Sequence, residues 1–417
     1  MTDLKTNSKS EFKKTLSWCF YDWANSAFAV CILSGLFPIF FKEHWAKDLS
    51  KDDSTFWLGI TNSLISAVIF IFSPILGQLA NTTDRKLKLL NLVTWFGALF
   101  CIGFFFIEIN QYVFALIIFA FAYLCFALSH LFYDALLPEY SKSENDYHKN
   151  SMLGYGMGYL GGGLLFLFQT LFIRNANSFG VSTTNAIYIC FIITGLWWLA
   201  FAYPLFLSQP IKSFNDVTDE IDFKTFFNKF KFLFQNKNPI GLFLISYFFY
   251  IDGLQTVYKM AVDFGLALGF PSSTMMITLL VVQFVGLPSA FLFIYLSKKI
   301  GVRPILLSGI IAYFFVIILA SQIQTDMQFI LCGVLVGIFQ GCVQALSRSY
   351  FCLLIPDTKE TGTYFGMYNM IGRFSALFGP LTTALVVSLT GSHRLAILSL
   401  SIYLILGLIT FPKKIKT

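Results

Sequence analysis

Long uninterrupted apolar runs constrain this chain more than any other feature of its sequence. The hydrocarbon core of a bilayer is about 30 Å thick and takes about 20 apolar residues per helix. Runs of that kind lie near residues 17–41, 57–80, 88–108, 111–135, 152–173, 185–207, 239–265, 273–297, 303–322, 327–350, 362–390 and 395–412. The sequence therefore predicts an all-α polytopic membrane protein with twelve transmembrane helices.

The composition argues against a water-soluble fold. Of the 417 residues, 56% are hydrophobic and 12% are charged, whereas about a quarter of the residues in soluble domains are charged. The eight Cys residues are scattered singly, without the paired spacing of a disulfide framework or a metal site, so we expect buried reduced thiols. The sequence contains no phosphate loop, zinc-protease motif or nucleophile elbow. We therefore expect neither an enzyme nor a cofactor or metal.

The distribution of basic residues predicts the orientation in the membrane. Of the 29 Lys and Arg residues, 22 lie in or next to the two terminal tails and the even-numbered loops. The odd-numbered loops hold five, namely Lys42, Lys47, Lys51, Arg174 and Arg394. By the positive-inside rule both termini are expected in the cytoplasm, with the chain in a bacterial inner membrane. The net charge of +7 then reflects orientation and does not indicate a nucleic-acid partner.

The longest polar stretch lies at the middle of the chain. We expect an N-terminal six-helix bundle over residues 1–207, a cytoplasmic linker over 208–238 and a C-terminal six-helix bundle over 239–417. Within the linker, aromatic residues recur at helical spacing between lysines, at Phe223, Phe226, Phe227, Phe230 and Phe234. This pattern predicts an amphipathic helix on the membrane surface. The alternative is a tethered, partly disordered loop.

The two halves carry similar polar motifs at corresponding positions. The first span contains Asp22 and Asn25, and the seventh contains Asp252 and Gln255, each pair one helical turn apart and on one helix face. The fourth and tenth spans also end alike, in LLPE and LIPD. Two six-span halves with matching polar positions imply parallel repeats, with a substrate site between them near mid-depth.

The loops after the second and eighth spans resemble the cytoplasmic loop signature of the major facilitator superfamily, G-x-L-A-D-R-x-G-R. The first copy reads GQLANTTDRK from Gly77, and the second reads LSKKIGVR. In that superfamily the signature forms a charge latch between neighbouring helices. Asn81 and Ser297 stand where an Asp is usual, so we expect a weaker latch or one that uses Asp84 beside Arg85.

Three longer stretches are similar to one branch of that superfamily. They read YDWANSAFAVCILSGLFPIFF from Tyr21, YFFYIDGLQTVYKMA from Tyr247 and GCVQALSRSYFCLLIPDTKETGTYFGMY from Gly341. They resemble the vacuole-effluxer-like family, whose fungal members are autophagy-related transporters that export amino acids from the vacuole. The resemblance extends over both halves. It implies the superfamily fold of two pseudo-symmetric six-helix bundles, for which a monomer is the default.

Ionisable side chains inside spans are the first candidates for substrate binding and coupling, because each costs about 2.5–3.5 kcal/mol on insertion scales. Asp252 and Arg373 are expected near mid-depth, in spans that are neighbours in the superfamily plan. Either they form a fixed ion pair, or Arg373 holds a substrate carboxylate and Asp252 takes up the coupling proton. Asp22 has no cation in its own span, which makes it the better proton carrier. Its alternative role is helix packing with Asn25 and Ser26.

Other polar residues form stripes along single helices. Gln340, Gln344 and Arg348 follow one another at one-turn intervals in the tenth span, where we expect them to line the cavity because lipid would leave the amides unsatisfied. His130 and Asp134 form the equivalent stripe in the fourth span, as a proton relay or an inner gate.

Further gate residues are expected at the two membrane surfaces. Lys259 and Asp263 are spaced i, i+4 near the outer end of the seventh span. They form either an outer gate or a plain salt bridge. The gate candidates are therefore His130, Asp134, Lys259, Asp263, Arg348, Asp84 and Arg85.

These features predict a secondary active transporter of amino acids or similar small zwitterionic solutes that works by alternating access, with protons as the expected coupling ion. The expected partners are a small-molecule substrate and membrane lipid. An exporter of drugs, siderophores or other amphipathic small molecules is the alternative, and an aromatic, weakly polar cavity would favour it. A lipid scramblase or a non-transporting membrane sensor is the alternative from another class.

Overall fold

The computed structural model describes residues 2–413 except 50, 144–145, 214–222, 236–237 and 357–359. It does not describe the side chains of residues 2–9, 51–52, 55–56, 63, 223, 225, 263, 266 and 272–273. Much of the predicted linker and the side chain of the gate candidate Asp263 therefore lie outside the described residues.

Among the described residues, twelve helical segments are long and apolar enough to cross a membrane, which confirms the prediction of an all-α protein with twelve spans. The α-helices are Thr2–Ala27, Phe37–Phe40, Lys51–Leu79, Thr83–Gly103, Tyr112–Ala135, Tyr147–Arg174, Thr183–Leu207, Phe223–Phe234, Pro239–Ala267, Ser272–Ile300, Val302–Ser321, Asp326–Leu354, Thr361–Ser375, Phe378–Thr390, His393–Ser399 and Ser401–Thr410. All but Phe223–Phe234 belong to the spans, which are numbered below in chain order.

Four spans are not single α-helices. The third ends in a 3-10 turn, Phe104–Phe106. The first runs to Trp45 through two π-helical stretches, Phe28–Leu36 and Phe41–Trp45. The twelfth consists of the last two helices. The eleventh is interrupted between Ser375 and Phe378, so the expectation of one continuous helix over 362–390 is wrong at this point. In a helix, proline clashes with the carbonyl group of the residue four positions earlier. For Pro380 that residue is Ala376, which lies in the interruption.

Two seams join the halves. The second span packs against the first part of the eleventh, and the fifth span packs against the eighth and the tenth. Glycines allow the backbones to approach closely at the first seam, where an added Cβ at Gly77 would lie 2.7 Å from the carbonyl oxygen of Gly362 and 2.8 Å from Cα of Gly366. Small residues at such positions are typical of tightly packed membrane helices.

Both ends of the described chain lie on one face of the bundle. Lys14 donates a hydrogen bond to the carbonyl of Pro210 after the sixth span, and Arg303 at the start of the ninth span donates to the carbonyl of Pro412. We call this the termini face, and the other end of the bundle the opposite face. The even-numbered loops lie on the termini face.

The linker contains a helix over Phe223–Phe234 that contacts the C-terminal half. Phe226 and Leu233 are buried, whereas Phe227 and Phe232 are exposed. Lys229 forms an ion pair of 2.6 Å with Glu360 before the eleventh span. The helix therefore has one face against the protein and one aromatic face turned away from it.

We predict that Gly77→Ala destabilises the protein whereas Gly59→Ala on the same helix does not. Alanine is favoured over glycine in helices by up to about 1 kcal/mol at both positions. Only at Gly77 would the new methyl group meet backbone atoms of the eleventh span, because no atom lies within 4 Å of a Cβ at Gly59. Overpacking of this kind costs about 1–3 kcal/mol. Thermal unfolding of the two purified variants in detergent compares them directly, and equal melting temperatures would contradict the close contact.

Candidate transport pathway and gate

A buried guanidinium connects the two halves near the termini face. Arg348 of the tenth span donates a hydrogen bond of 2.8 Å from Nη1 to Oδ1 of Asp134 in the fourth span, and its Nη2 lies 3.6 Å from Oδ2 of Asp22 in the first. Its Nε donates to the hydroxyl of Ser151 at 2.8 Å, and Nη2 donates to the carbonyl of the same residue at 2.9 Å. One C-terminal-half side chain thus binds three N-terminal-half spans.

Aromatic rings complete the surroundings of this guanidinium. Its carbon lies 4.9 Å from the ring centre of Trp18, 5.3 Å from that of Tyr133 and 4.7 Å from that of Tyr155, distances at which a cation is attracted to an aromatic face. Tyr133 also donates a hydrogen bond of 3.0 Å to Asp22. Arg348 is 1% exposed. We call Asp22, Asp134 and Arg348 the charge cluster.

The charge cluster joins residues that the sequence suggested for different tasks. Asp22 was expected to have no cation in its own span, and the cation that it meets, Arg348, comes from the tenth span. A partner so far along the chain is not visible in the pattern of one helix. Asp134 and Arg348, expected as gate residues, form an ion pair with each other. His130 packs its ring edge against Phe126 and makes no described hydrogen bond to Asp134.

A second set of contacts closes the termini face nearer the surface. The Asn81 side chain binds Thr363 of the eleventh span, accepting a hydrogen bond of 3.0 Å from its backbone N–H. Lys86 forms an ion pair with Glu139 and donates a hydrogen bond of 2.8 Å to the hydroxyl of Thr361. We call Asn81, Lys86, Glu139, Thr361 and Thr363 the surface latch.

The surface latch corrects the prediction for this loop. Asp84 is exposed, so it does not replace the missing Asp of the signature. Arg85 is half-buried beside it, and it is the next residue, Lys86, that is fully buried in the latch. Asn81 forms hydrogen bonds across the halves where the usual Asp would carry a charge.

Glu139 was visible in the LLPE repeat but was not assigned a role. Its side chain is 0% exposed, and burial raises the pKa of its carboxyl group while the ammonium of Lys86 opposes that rise. Its carbonyl accepts hydrogen bonds from the backbone N–H groups of Ile211 and Lys212, which hold the chain after the sixth span. Glu139, just after the fourth span, thus holds both Lys86 and the chain after the sixth span at the termini face.

At mid-depth the charges are arranged differently. Arg373 is half-buried and reaches across the halves to Tyr123 of the fourth span, whose hydroxyl lies 3.1 Å from Nη1. Asp252 is 1% exposed and accepts a long hydrogen bond of 3.4 Å from Thr256, while its other oxygen has no described partner. Among the described residues no ion pair joins Asp252 to Arg373, so the option of a fixed pair is wrong. Arg373 precedes the interruption of the eleventh span, whereas Asp252 lies beside Gly379, which follows it.

The remaining predicted polar residues occupy several environments. Gln340 is buried and accepts a hydrogen bond of 2.7 Å from Tyr313 inside the C-terminal half, so it does not continue a cavity-facing stripe. Gln344 and Gln255 are half-buried. Asn25 is buried and donates a hydrogen bond of 2.9 Å to Ser129. Its carbonyl oxygen has no described partner.

Lys259 is exposed within its span, whereas the adjacent Tyr258 and Met260 are half-buried. It lies within electrostatic range of Tyr123 in the other half, which places it at the space between the halves. The predicted pair with Asp263 involves a side chain outside the described residues.

We predict that Lys86→Met strongly destabilises the protein because it leaves Glu139 buried without its cation. Breaking a buried ion pair from one side costs about 3–5 kcal/mol, whereas replacing both partners is often nearly neutral. The double variant Lys86→Met with Glu139→Gln should therefore recover most of the loss. Lys88→Met, at an exposed lysine on the same helix, is the matched control. Denaturant titration of the unsubstituted protein and the three variants measures the differences in the free energy of unfolding. If Lys86→Met were as stable as Lys88→Met, the ion pair would not be important for stability.

Comparisons with known proteins agree on the family. A sequence profile described as "Vacuole effluxer Atg22 like" matches residues 49–413. YxiO of Bacillus subtilis, described as an uncharacterized MFS-type transporter, is 32% identical over 95% of this chain and 94% of its own. Autophagy-related protein 22 of Kluyveromyces lactis is 25% identical over 62% of this chain and 56% of its own.

Solved structures agree on the fold. The proton:xylose symporter XylE superposes with a TM-score of 0.73 at 12% identity, covering 97% of this chain and 95% of its own. The transporter FucP in its outward conformation superposes with a TM-score of 0.70 at 13% identity, covering 96% and 97%. Proteins of this fold and family are transporters and not enzymes. The chain belongs to the vacuole effluxer Atg22-like family of the major facilitator superfamily.

Proposed function

We propose that this protein is a secondary active carrier of amino acids or similar small zwitterions, driven by protons and working by alternating access of its two halves. The observation that carries the proposal is Arg373, a half-buried cation at mid-depth between the halves whose described hydrogen bond goes to the neutral hydroxyl of Tyr123. An ionisable side chain at this depth marks a substrate or ion pathway.

A guanidinium suits a carboxylate ligand because its planar donors bind both carboxylate oxygens at once. Among the described residues Arg373 has no carboxylate within salt-bridge distance, so a substrate would supply the compensating charge. Tyr123 would bind the same carboxylate from the other half. Contact with both halves is what a substrate of alternating access requires.

Asp252 supports the zwitterion class. Its free carboxylate oxygen is buried beside the interruption of the eleventh span, where an added Cβ on Gly379 would lie 2.8 Å from the other oxygen. An ammonium group is the natural partner of such a carboxylate. The interruption gives the eleventh span a place to bend when substrate enters.

The charge cluster and the surface latch support alternating access. Both hold the two halves together at the termini face, so substrate would enter this state from the opposite face. Toward that face the contacts between halves are largely apolar, with Ser34 of the first span beside Tyr258 of the seventh. Opening the termini face would require these polar contacts to break.

The cellular arrangement is part of the proposal. The positive-inside distribution supports cytoplasmic termini in a bacterial cytoplasmic membrane, and the Bacillus relative fits that setting. The family description names effluxers, which supports export toward the opposite face or out of a compartment. We propose that the monomer is the transporting unit.

Uptake of labelled leucine, isoleucine and tyrosine into proteoliposomes under an imposed pH gradient tests the proposal. We expect saturable uptake that follows the gradient. Arg373→Ala should raise the KM at least about tenfold, because a hydrogen bond to a charged group contributes about 1.5–3 kcal/mol.

Arg174→Ala is the matched control, since it removes an exposed arginine at the end of the fifth span. Normal uptake by this control and loss by Arg373→Ala would support the carboxylate site. A folded, inserted protein without uptake of any of the three amino acids would reject them as cargo and favour an exporter of amphipathic compounds. Equal uptake by both variants would keep an amino-acid carrier but remove Arg373 from its site.

A further inference from the structure

We propose that the charge cluster is the binding site of the coupling proton: when the termini face is closed, Asp22 and Asp134 share one proton beside Arg348, and opening of that face releases it. This assignment rests on the proposed function, in which protons drive transport. It assigns coupling to a pair of carboxyl groups in the gate itself, and leaves Asp252 at mid-depth for substrate.

The geometry brings two acids to one base. Arg348 lies 2.8 Å from an oxygen of Asp134 and 3.6 Å from an oxygen of Asp22. Asp22 is 3% exposed, Asp134 is 6% exposed and Arg348 is 1% exposed. With both carboxyl groups ionised, the enclosed cluster carries one net negative charge.

Among the described residues no second cation contacts the carboxylates. The other titratable or charged groups that face the cluster are Cys19 from the first span, His130 and Tyr133 from the fourth, Lys149 and Tyr155 from the fifth, Tyr247 from the seventh and Arg373 from the eleventh. Lys149 acts on Cys19, and Arg373, whose described hydrogen bond goes to Tyr123, acts on Asp134 less strongly than Arg348 does. Two carboxylates that share a buried site cannot both ionise cheaply, so one holds a proton.

Opening the gate changes this balance. Arg348 belongs to the C-terminal half, and both carboxyl groups belong to the N-terminal half. Separation of the halves at the termini face would admit water to Asp22 and Asp134. Hydrated carboxyl groups are ionised at neutral pH, so the shared proton would be released. Closing would therefore take up one proton and opening would deliver it to the termini face.

We propose that the proton reaches the cluster from mid-depth. His130 lies one helical turn from Asp134 toward mid-depth and is half-buried, and no hydrogen bond between the two side chains is described. Tyr133 donates its hydroxyl to Asp22. Protons would thus reach the closed gate from the side that is open to substrate.

A native cysteine reports gate opening without any substrate. Cys19 lies one turn before Asp22, is 1% exposed and contacts the carbonyl of Asn150, so a maleimide reaches it only when the termini face opens. Thiols react with maleimide as thiolates and therefore faster at higher pH, so the labelling rate of Cys19 in the folded protein is divided by its rate in the denaturant-unfolded chain at the same pH. The purified full chain in nanodiscs is labelled with N-ethylmaleimide from about pH 5 to about pH 9, and modification of Cys19 is followed by mass spectrometry.

In the unsubstituted protein we expect this folded-to-unfolded rate ratio of Cys19 to rise with pH, by up to about tenfold per pH unit, because a single released proton gives that slope. Asp134→Asn and Asp22→Asn each leave a neutral cluster and should keep the ratio low and independent of pH. Asp252→Asn should show the same pH dependence of the ratio as the unsubstituted protein.

A flat ratio in the unsubstituted protein would overturn the proposal without the need for any variant. A rising ratio in both Asp134→Asn and Asp22→Asn would also overturn it, as would loss of the dependence in Asp252→Asn alone. These outcomes are independent of cargo, so amino-acid uptake can fail while the proton site stands. Conversely, uptake can succeed while the proton site is refuted.

Discussion

The contact of the Arg348 guanidinium with three spans of the other half is the interaction on which the closed termini face depends. A charge enclosed in an apolar protein must be compensated, and here two carboxylates, a serine and three aromatic faces do so. All of these partners belong to the N-terminal half. The contact that makes the charge tolerable therefore also fixes the two halves together. In the surface latch the Lys86–Glu139 ion pair lies within the N-terminal half, and the hydrogen bond from Lys86 to Thr361 joins the halves.

The charges at mid-depth are less completely compensated than those of the gate. Arg373 meets a neutral hydroxyl, and Asp252 keeps one oxygen without a described partner beside the interruption of the eleventh span. A binding site must leave polar groups available to its ligand, whereas a gate must satisfy its own groups when it closes. This contrast assigns substrate recognition to the centre of the protein and conformational control to the termini face.

The sequence predicted the twelve spans, the two-bundle fold and the family because apolar length and long motifs are local properties. It also singled out Asp22, Asp134 and Arg348, since ionisable side chains in apolar runs are conspicuous. It did not join them, because contacts between residues more than a hundred positions apart leave no mark on the periodicity of one helix. Lys86 and Glu139 are 53 positions apart and lie in different segments of the chain, so their contact is also invisible in the periodicity of one helix. The break in the eleventh span had a local signal in Pro380 that was outweighed by apolar length.

The most direct test of the account measures both faces of one protein. Spin labels on Lys88 and Lys299 span the two halves at the termini face, and labels on Asn177 and Gln324 span them at the opposite face; all four side chains are exposed. Distances are measured by double electron–electron resonance with and without leucine, isoleucine and tyrosine. Alternating access predicts that the first distance lengthens as the second shortens. Two distances that stay constant, or change in the same direction, would contradict it.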